Sequence, residues 1–181
     1  ACLSPRTKAI LLQHTLGIAG PIEEIEILAQ SHGLAVIEDA ALAVGSGTGR
    51  CRLGTAGVAS VFSFELSKTL SAGWGGMVVC RPSSLAKRLR SLRSKHPRMS
   101  RVWAARRLAQ SGASGLLYRP EVYALTKYVV ASLFRLGIFR ASASPEAEDE
   151  GILAADAKMI PDDAQWQVLG QQFDRLSTTT D

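Results

Sequence analysis

Apolar and polar positions along the first half of the chain alternate between two periods. Lys8 to Gln13 (KAILLQ) is a short apolar run that reads as a buried strand, with His14 to Gly17 as its exit loop. Ile22, Ile25, Leu28 and Ala29 then recur at helical spacing. Pro21 suits the first turn of that helix, Glu23 and Glu24 favour its positive end, and Gly33 can stop it. Leu34 to Ile37 is a second apolar run, so strand, helix and strand follow in the order of a parallel crossover, with Asp39 at the carboxyl end of the second strand. A glycine-rich stretch, Gly45 to Gly57, leads to a third strand, Val58 to Phe64. Gly73, Gly75 and Gly76 permit a tight return into Met77 to Cys80. Ser83 or Ser84 can cap a helix carrying Leu85, Leu89 and Leu92 on one face.

Beyond that point the pattern weakens. His96 to Tyr118 is rich in arginine and small residues, and Val122 to Phe139 is the most apolar tract. Lys127 and Arg135 interrupt that tract, and a spanning helix needs about 20 predominantly apolar residues, so it reads as a helix packing on its own domain. Ala141 to Ala154 is polar and acidic, as in a linker or loop. Helical spacing returns at Val168, Leu169, Phe173 and Leu176 before a polar tail from Ser177 to Asp181. No internal repeat is present.

Composition changes this picture little. A chain of 181 residues with 46% hydrophobic and 20% charged residues can bury one ordinary core. The net charge of +5 selects no partner by itself. Lys87, Arg88, Arg90, Arg93, Lys95, Arg98, Arg101, Arg106 and Arg107 crowd one region, but Trp103 is the one aromatic among them. A solvated helix face is therefore the expectation, and no nucleic-acid partner is expected. Cys2, Cys51 and Cys80 lie singly, which fits neither a disulfide framework nor zinc and suggests a reducing, cytoplasmic setting. The first residues lack the pattern of a secretory signal. His32 and His96 have no partners at ligand spacing, so no metal is expected.

Chemistry enters with Asp39 and Lys68. An acid at a strand end followed by the amine that closes SFELSK (Ser63 to Lys68) is what pyridoxal phosphate requires. The amine forms the Schiff base, and the carboxylate keeps the pyridinium nitrogen protonated. In open α/β sheets ligands bind beyond the carboxyl ends of the strands, where Asp39 falls.

The ordered run Pro5 to Ile10, His14, Gly17, Val36-Ile37-Glu38-Asp39-Ala40-Ala41, Phe62-Ser63-Phe64, Ser67-Lys68 and Gly75-Gly76 resembles the DegT/DnrJ/EryC1/StrS aminotransferases. The resemblance covers residues 5 to about 95. It implies a fold-type-I α/β large domain with a mostly parallel sheet flanked by helices. It also implies pyridoxal 5'-phosphate as cofactor, a homodimer, and transfer of an amino group from glutamate or glutamine to a keto sugar, usually nucleotide-linked, in polysaccharide or secondary-metabolite biosynthesis. Lys68 would be the catalytic Schiff-base residue and proton shuttle, Asp39 the partner of the pyridine nitrogen, Ser63 a donor to the phosphate, and His14 a residue beside the cofactor. Residues 1–96 would belong to the large domain, 97–140 to a helical region, 141–157 to a linker, and 158–181 to the start of a small-domain helix.

Asp162-Asp163-Ala164-Gln165 and Gln172 to Leu176 are similar to a family helix beginning S-[DE]-x-Q. Counting back, an asparagine that reaches the partner subunit's phosphate falls on Lys158. There are departures from the family pattern. Leu42 stands where glutamine or histidine is usual, Val44 where histidine is usual, and Trp74 where an acidic residue is common. By the same resemblance the chain begins within the large domain and stops as the small domain should begin. Two other readings stay open. One is a catalytically inert homolog acting as a binding module. The other is a pyridoxal-phosphate sugar dehydratase, against which Lys68 argues because a histidine replaces the lysine in such relatives.

Overall fold

The computed structural model describes residues 3–139 and 159–178 of the chain, so Lys158 and the expected linker at 141–157 lie outside the described residues. Two compact units are present. The first comprises residues 1–64 and 76–95, and the second residues 65–75 and 96–181.

The first unit is a four-stranded sheet with strand order β1-β2-β3-β4. β1 (Ala9–Gln13), β2 (Ala35–Asp39) and β3 (Ala59–Ser63) run parallel, and β4 (Gly76–Cys80) returns antiparallel to β3. Helix α1 (Ile22–His32) connects β1 to β2, and Gly33 ends it in the left-handed conformation at φ 63°, as its position in the sequence predicts. Helix α2 (Ser83–Arg93) follows β4. Its N-cap is Pro82 with no side-chain cap, so Ser83 and Ser84 lie inside the first turn rather than capping it. The second strand extends two residues further than its apolar run, taking in Glu38 and Asp39.

Register decides which side chains share a face. Leu12 and Val36 pack with Ala29 of α1, supported by Ile10, Ile22, Ile25 and Leu34, and this cluster covers one face of the sheet. A second cluster of Ala40, Ala43 and Leu53, joined by Phe62, continues it past the strand ends. The opposite face carries Leu11, Ile37, Asp39, Val61, Ser63 and Val78. It is open, with Leu11 68% exposed, Val61 42% and Val78 49%.

The second unit is built on helices. α3 (Arg101–Leu117) and α4 (Pro120–Arg135) form a hairpin, and α5 (Asp163–Thr178) lies against α3. Ser100 caps α3 by accepting from the Trp103 N–H at 3.3 Å. At the start of α5, Asp162 Oδ1 accepts the Ala164 N–H and Gln165 Oε1 accepts the Asp162 N–H, each at 3.0 Å. This reciprocal capping box is the physical content of the D-x-x-Q spacing.

Candidate active site

β2 alternates its side chains, so Glu38 and Asp39 point to opposite faces. Glu38 enters the covered face and is fully buried. Four groups surround it. The Gly57 N–H donates to Oε1 at 2.6 Å, the Gly54 N–H donates to Oε2 at 2.8 Å, and His14 Nε2 lies 2.9 Å from Oε2. The Ser60 hydroxyl lies 3.3 Å from Oε1 and donates to the Gly54 carbonyl at 2.6 Å. His14 Nδ1 accepts the Gly20 N–H at 3.2 Å, which leaves the ring proton on Nε2 to donate to Glu38.

Burial alone pushes the Glu38 carboxyl up. Hydrogen bonds from Gly57, His14 and Gly54 outweigh it and hold the group below the ordinary carboxylate value. The approach of the loop to this carboxylate requires glycine. A Cβ on Gly57 would stand 2.6 Å from the Val36 carbonyl oxygen, and Gly54 sits at φ 87° against the Phe62 ring.

Asp39 enters the open face at the carboxyl end of β2. Its Oδ1 accepts the Ala41 N–H at 3.1 Å, and its Oδ2 has no hydrogen-bond partner among the described residues. The parallel register puts it beside Gln13 and Val61. Ser63, half-buried, is two residues further along β3 on the same face. His14 lies at the same edge, its N–H donating to the Asp39 carbonyl at 3.0 Å. Its ring, 1% exposed, is directed to Glu38. Three of the four sequence-predicted residues therefore gather at one edge of the sheet. Two of them share its open face.

Lys68 belongs to the second unit. It lies in the turn that follows β3, with its N–H donating to the Glu65 carbonyl at 3.0 Å and the Ser67 hydroxyl donating to Glu65 Oε2 at 2.6 Å. The Lys68 ammonium has no hydrogen-bond or ion-pair partner among the described residues. The segment just after it is held firmly. Gln172 of α5 brackets Ser71, its Nε2 donating to the Ser71 carbonyl at 2.8 Å and its Oε1 accepting the Ser71 N–H at 3.0 Å. Gln165, fully buried, donates to the Ala72 carbonyl at 3.0 Å.

These glutamines were legible only as a loose motif. Their spacing of seven puts both on one helix face, but nothing in the sequence says which backbone they meet. Arg107 corrects an expectation more directly. It is 4% exposed, with its guanidinium 5.0 Å from the Trp74 ring centre and 5.6 Å from that of Trp103. It is thus no part of a solvated face, and the departure at Trp74 has a packing partner. The signal available was Trp103 four residues before Arg107 on a helix.

Residues 1–117 match the model of the DegT/DnrJ/EryC1/StrS aminotransferase family. The UDP-N-acetyl-3-dehydro-alpha-D-glucosamine 3-aminotransferase of Acidithiobacillus ferrooxidans is 45% identical over 95 residues, which are 52% of this chain and 26% of that protein. Among solved structures, DesI in the presence of its TDP-sugar product is 35% identical over 51% of this chain and 24% of its own, with a TM-score of 0.50. The aminotransferase TlmJ from Streptoalloteichus hindustanus is 38% identical over 56% and 27%, also at 0.50. The chain thus spans about a quarter of the length of these relatives. The parallel strands with an acid at the end of β2, the lysine turn after β3 and the match over residues 1–117 agree: this chain belongs to the DegT/DnrJ/EryC1/StrS aminotransferase family.

Proposed function

We propose that the chain is part of a pyridoxal-phosphate-dependent aminotransferase that delivers an amino group to a nucleotide-linked keto sugar from glutamate or glutamine. The observation that carries the reading is the Asp39 carboxylate, presented at the carboxyl edge of parallel strands with one oxygen unengaged. Two of the similar proteins named above carry a nucleotide sugar in their descriptions, a UDP-linked one for the Acidithiobacillus ferrooxidans aminotransferase and a TDP-linked product for DesI, which supports the substrate class. Single cysteines support a cytoplasmic setting, and family likeness supports a homodimer.

The donor set fits the cofactor. Asp39 would hold the proton on the pyridine nitrogen, the Ser63 hydroxyl would donate to the phosphate, and Lys68 Nζ would make the covalent attachment. When bound, pyridoxal phosphate supplies an electron sink for the substrate carbon. Lys68 Nζ, released from attachment, would carry the proton to and from that carbon. His14 would act from behind, steadying the end of β2 through its bonds to Glu38 and to the Asp39 carbonyl.

Incubation with pyridoxal phosphate, borohydride reduction and peptide mass spectrometry test this reading. The pyridoxyl group should be found on Lys68, and Lys68→Arg should remove it. Label spread evenly over Lys8, Lys87, Lys95 and Lys127 would sink the assignment.

A further inference from the structure

Lys68 sits in a segment with almost no scaffold of its own. Residues 65–75 form neither helix nor strand, and among the described residues the bond from the Lys68 N–H to the Glu65 carbonyl is the one main-chain to main-chain hydrogen bond they make. Yet Leu70 and Ala72 are buried, and buried peptide groups need partners. Side chains of two helices supply them. Gln172 of α5 meets both the N–H and the carbonyl of Ser71, and Gln165 meets the carbonyl of Ala72. From α3, the Ser111 hydroxyl lies 3.3 Å from that of Ser71, which in turn accepts the Gly73 N–H at 3.0 Å. A Cβ on Gly73, at φ 73°, would collide with the Arg107 carbonyl, so the chain lies directly on α3 there.

A glutamine amide offers a donor and an acceptor side by side, as a peptide group does, so Gln172 takes the place of a neighbouring strand for Ser71. Ser71 is three residues from Lys68, at most about 11 Å of extended chain, which ties the place of the lysine backbone to the Gln172 side chain. A reacting amine gains from being held. Misplacement by about 1 Å can cost about a hundredfold in rate. The two glutamines are neutral and bond to main-chain groups, while Lys68 Nζ has no hydrogen-bond or ion-pair partner among the described residues. They can therefore act on the position of the amine without acting on its charge.

We propose that Gln172, seconded by Gln165, is a positioning residue for Lys68, holding its turn where the amine meets the aldehyde of pyridoxal phosphate; the inference rests on the cofactor reading above. Saturation kinetics of pyridoxyl labelling test it. Nζ bonds to the aldehyde carbon, whose oxygen leaves as water with two protons of the ammonium, and borohydride reduces the resulting C=N bond. Gln172→Met removes both bonds to Ser71. It should lower the limiting rate of labelling at Lys68 by at least about tenfold, while the half-saturating concentration of pyridoxal phosphate and the labelling of Lys87 and Lys95 stay at wild-type values. Gln172→Glu keeps an acceptor for the Ser71 N–H and should recover part of that rate. Asp162→Ala removes the cap of α5 without touching residues 71–72, so it should lower the melting point and leave the Lys68 rate unchanged. A Lys68 rate unchanged in Gln172→Met, or an equal fall in Asp162→Ala, would overturn the positioning role while the cofactor reading stands. Wild-type protein that takes no label on Lys68 would overturn the cofactor reading itself, and the positioning role with it.

Discussion

Glu38 and Asp39 are neighbours in sequence with unrelated tasks, because a strand sends consecutive side chains to opposite faces. Glu38 gathers two loop N–H groups and His14 into the covered face, so removing it leaves buried donors with nothing to bind. Glu38→Ala should cost about 3–5 kcal/mol in denaturant unfolding. Its carboxyl is held below the ordinary value when folded. Its contribution is therefore complete above the usual carboxylate range and is lost as pH falls through the folded value. Acid titration of the fold should show the wild type losing stability below about pH 4, with Glu38→Gln flatter across that window. Asp39→Ala should behave differently. It forfeits one turn hydrogen bond, roughly 1 kcal/mol, yet should weaken pyridoxyl labelling of Lys68 far more than Glu38→Gln does. The family motif singled out Asp39 correctly as a strand-end acid. Glu38 was missed because the apolar run ends at Ile37, which hid that Val36 and Glu38 share a buried face.

Elements whose buried stripe is apolar could be read from the sequence, and those whose buried stripe is polar could not. β1, α1 and β2 bury Leu12, Ala29 and Val36, so hydropathy marks them within a residue or two. α3 buries Ala104, Arg107, Gln110 and Ser114 while leaving Val102 79% exposed, which inverts the usual signal. α5 offers the same lesson, since its contribution to the lysine turn is made by Gln165 and Gln172. Each engages backbone carbonyls of the 71–72 segment, so losing one leaves a polar group unmet at about 1–3 kcal/mol. Gln172→Leu should raise hydrogen exchange at the Ser71 amide, which it now accepts, by at least about tenfold. Gln165→Leu should leave that amide protected and lower the melting point. Between β2 and β3, Gly57→Ala forces a Cβ against two strand carbonyls and should destabilise by about 2 kcal/mol or more in chemical denaturation.

At the scale of the whole chain, the sheet face that carries Asp39 and Ser63 also leaves apolar side chains exposed. Val61 and Val78 pair across β3 and β4 there, Leu11 lies on the same face of β1 beyond β2, and all three are more than a third exposed. A sheet with one apolar face open loses the burial that normally stabilises it, about 25 cal/mol for each Å² left wet. Open apolar surface of this kind binds hydrophobic dyes and promotes association. The 181-residue chain should therefore enhance anilinonaphthalene sulfonate fluorescence in its native state and sediment faster as its concentration rises. Replacing Leu11, Val61 and Val78 together by threonine keeps strand propensity while removing the apolar patch. That variant should lose the sheet's share of the dye signal and weaken the concentration dependence, with its circular dichroism unchanged. A dye signal and a concentration dependence that are both unchanged in the threonine variant would mean that the sheet face is not an exposed surface the dye reports.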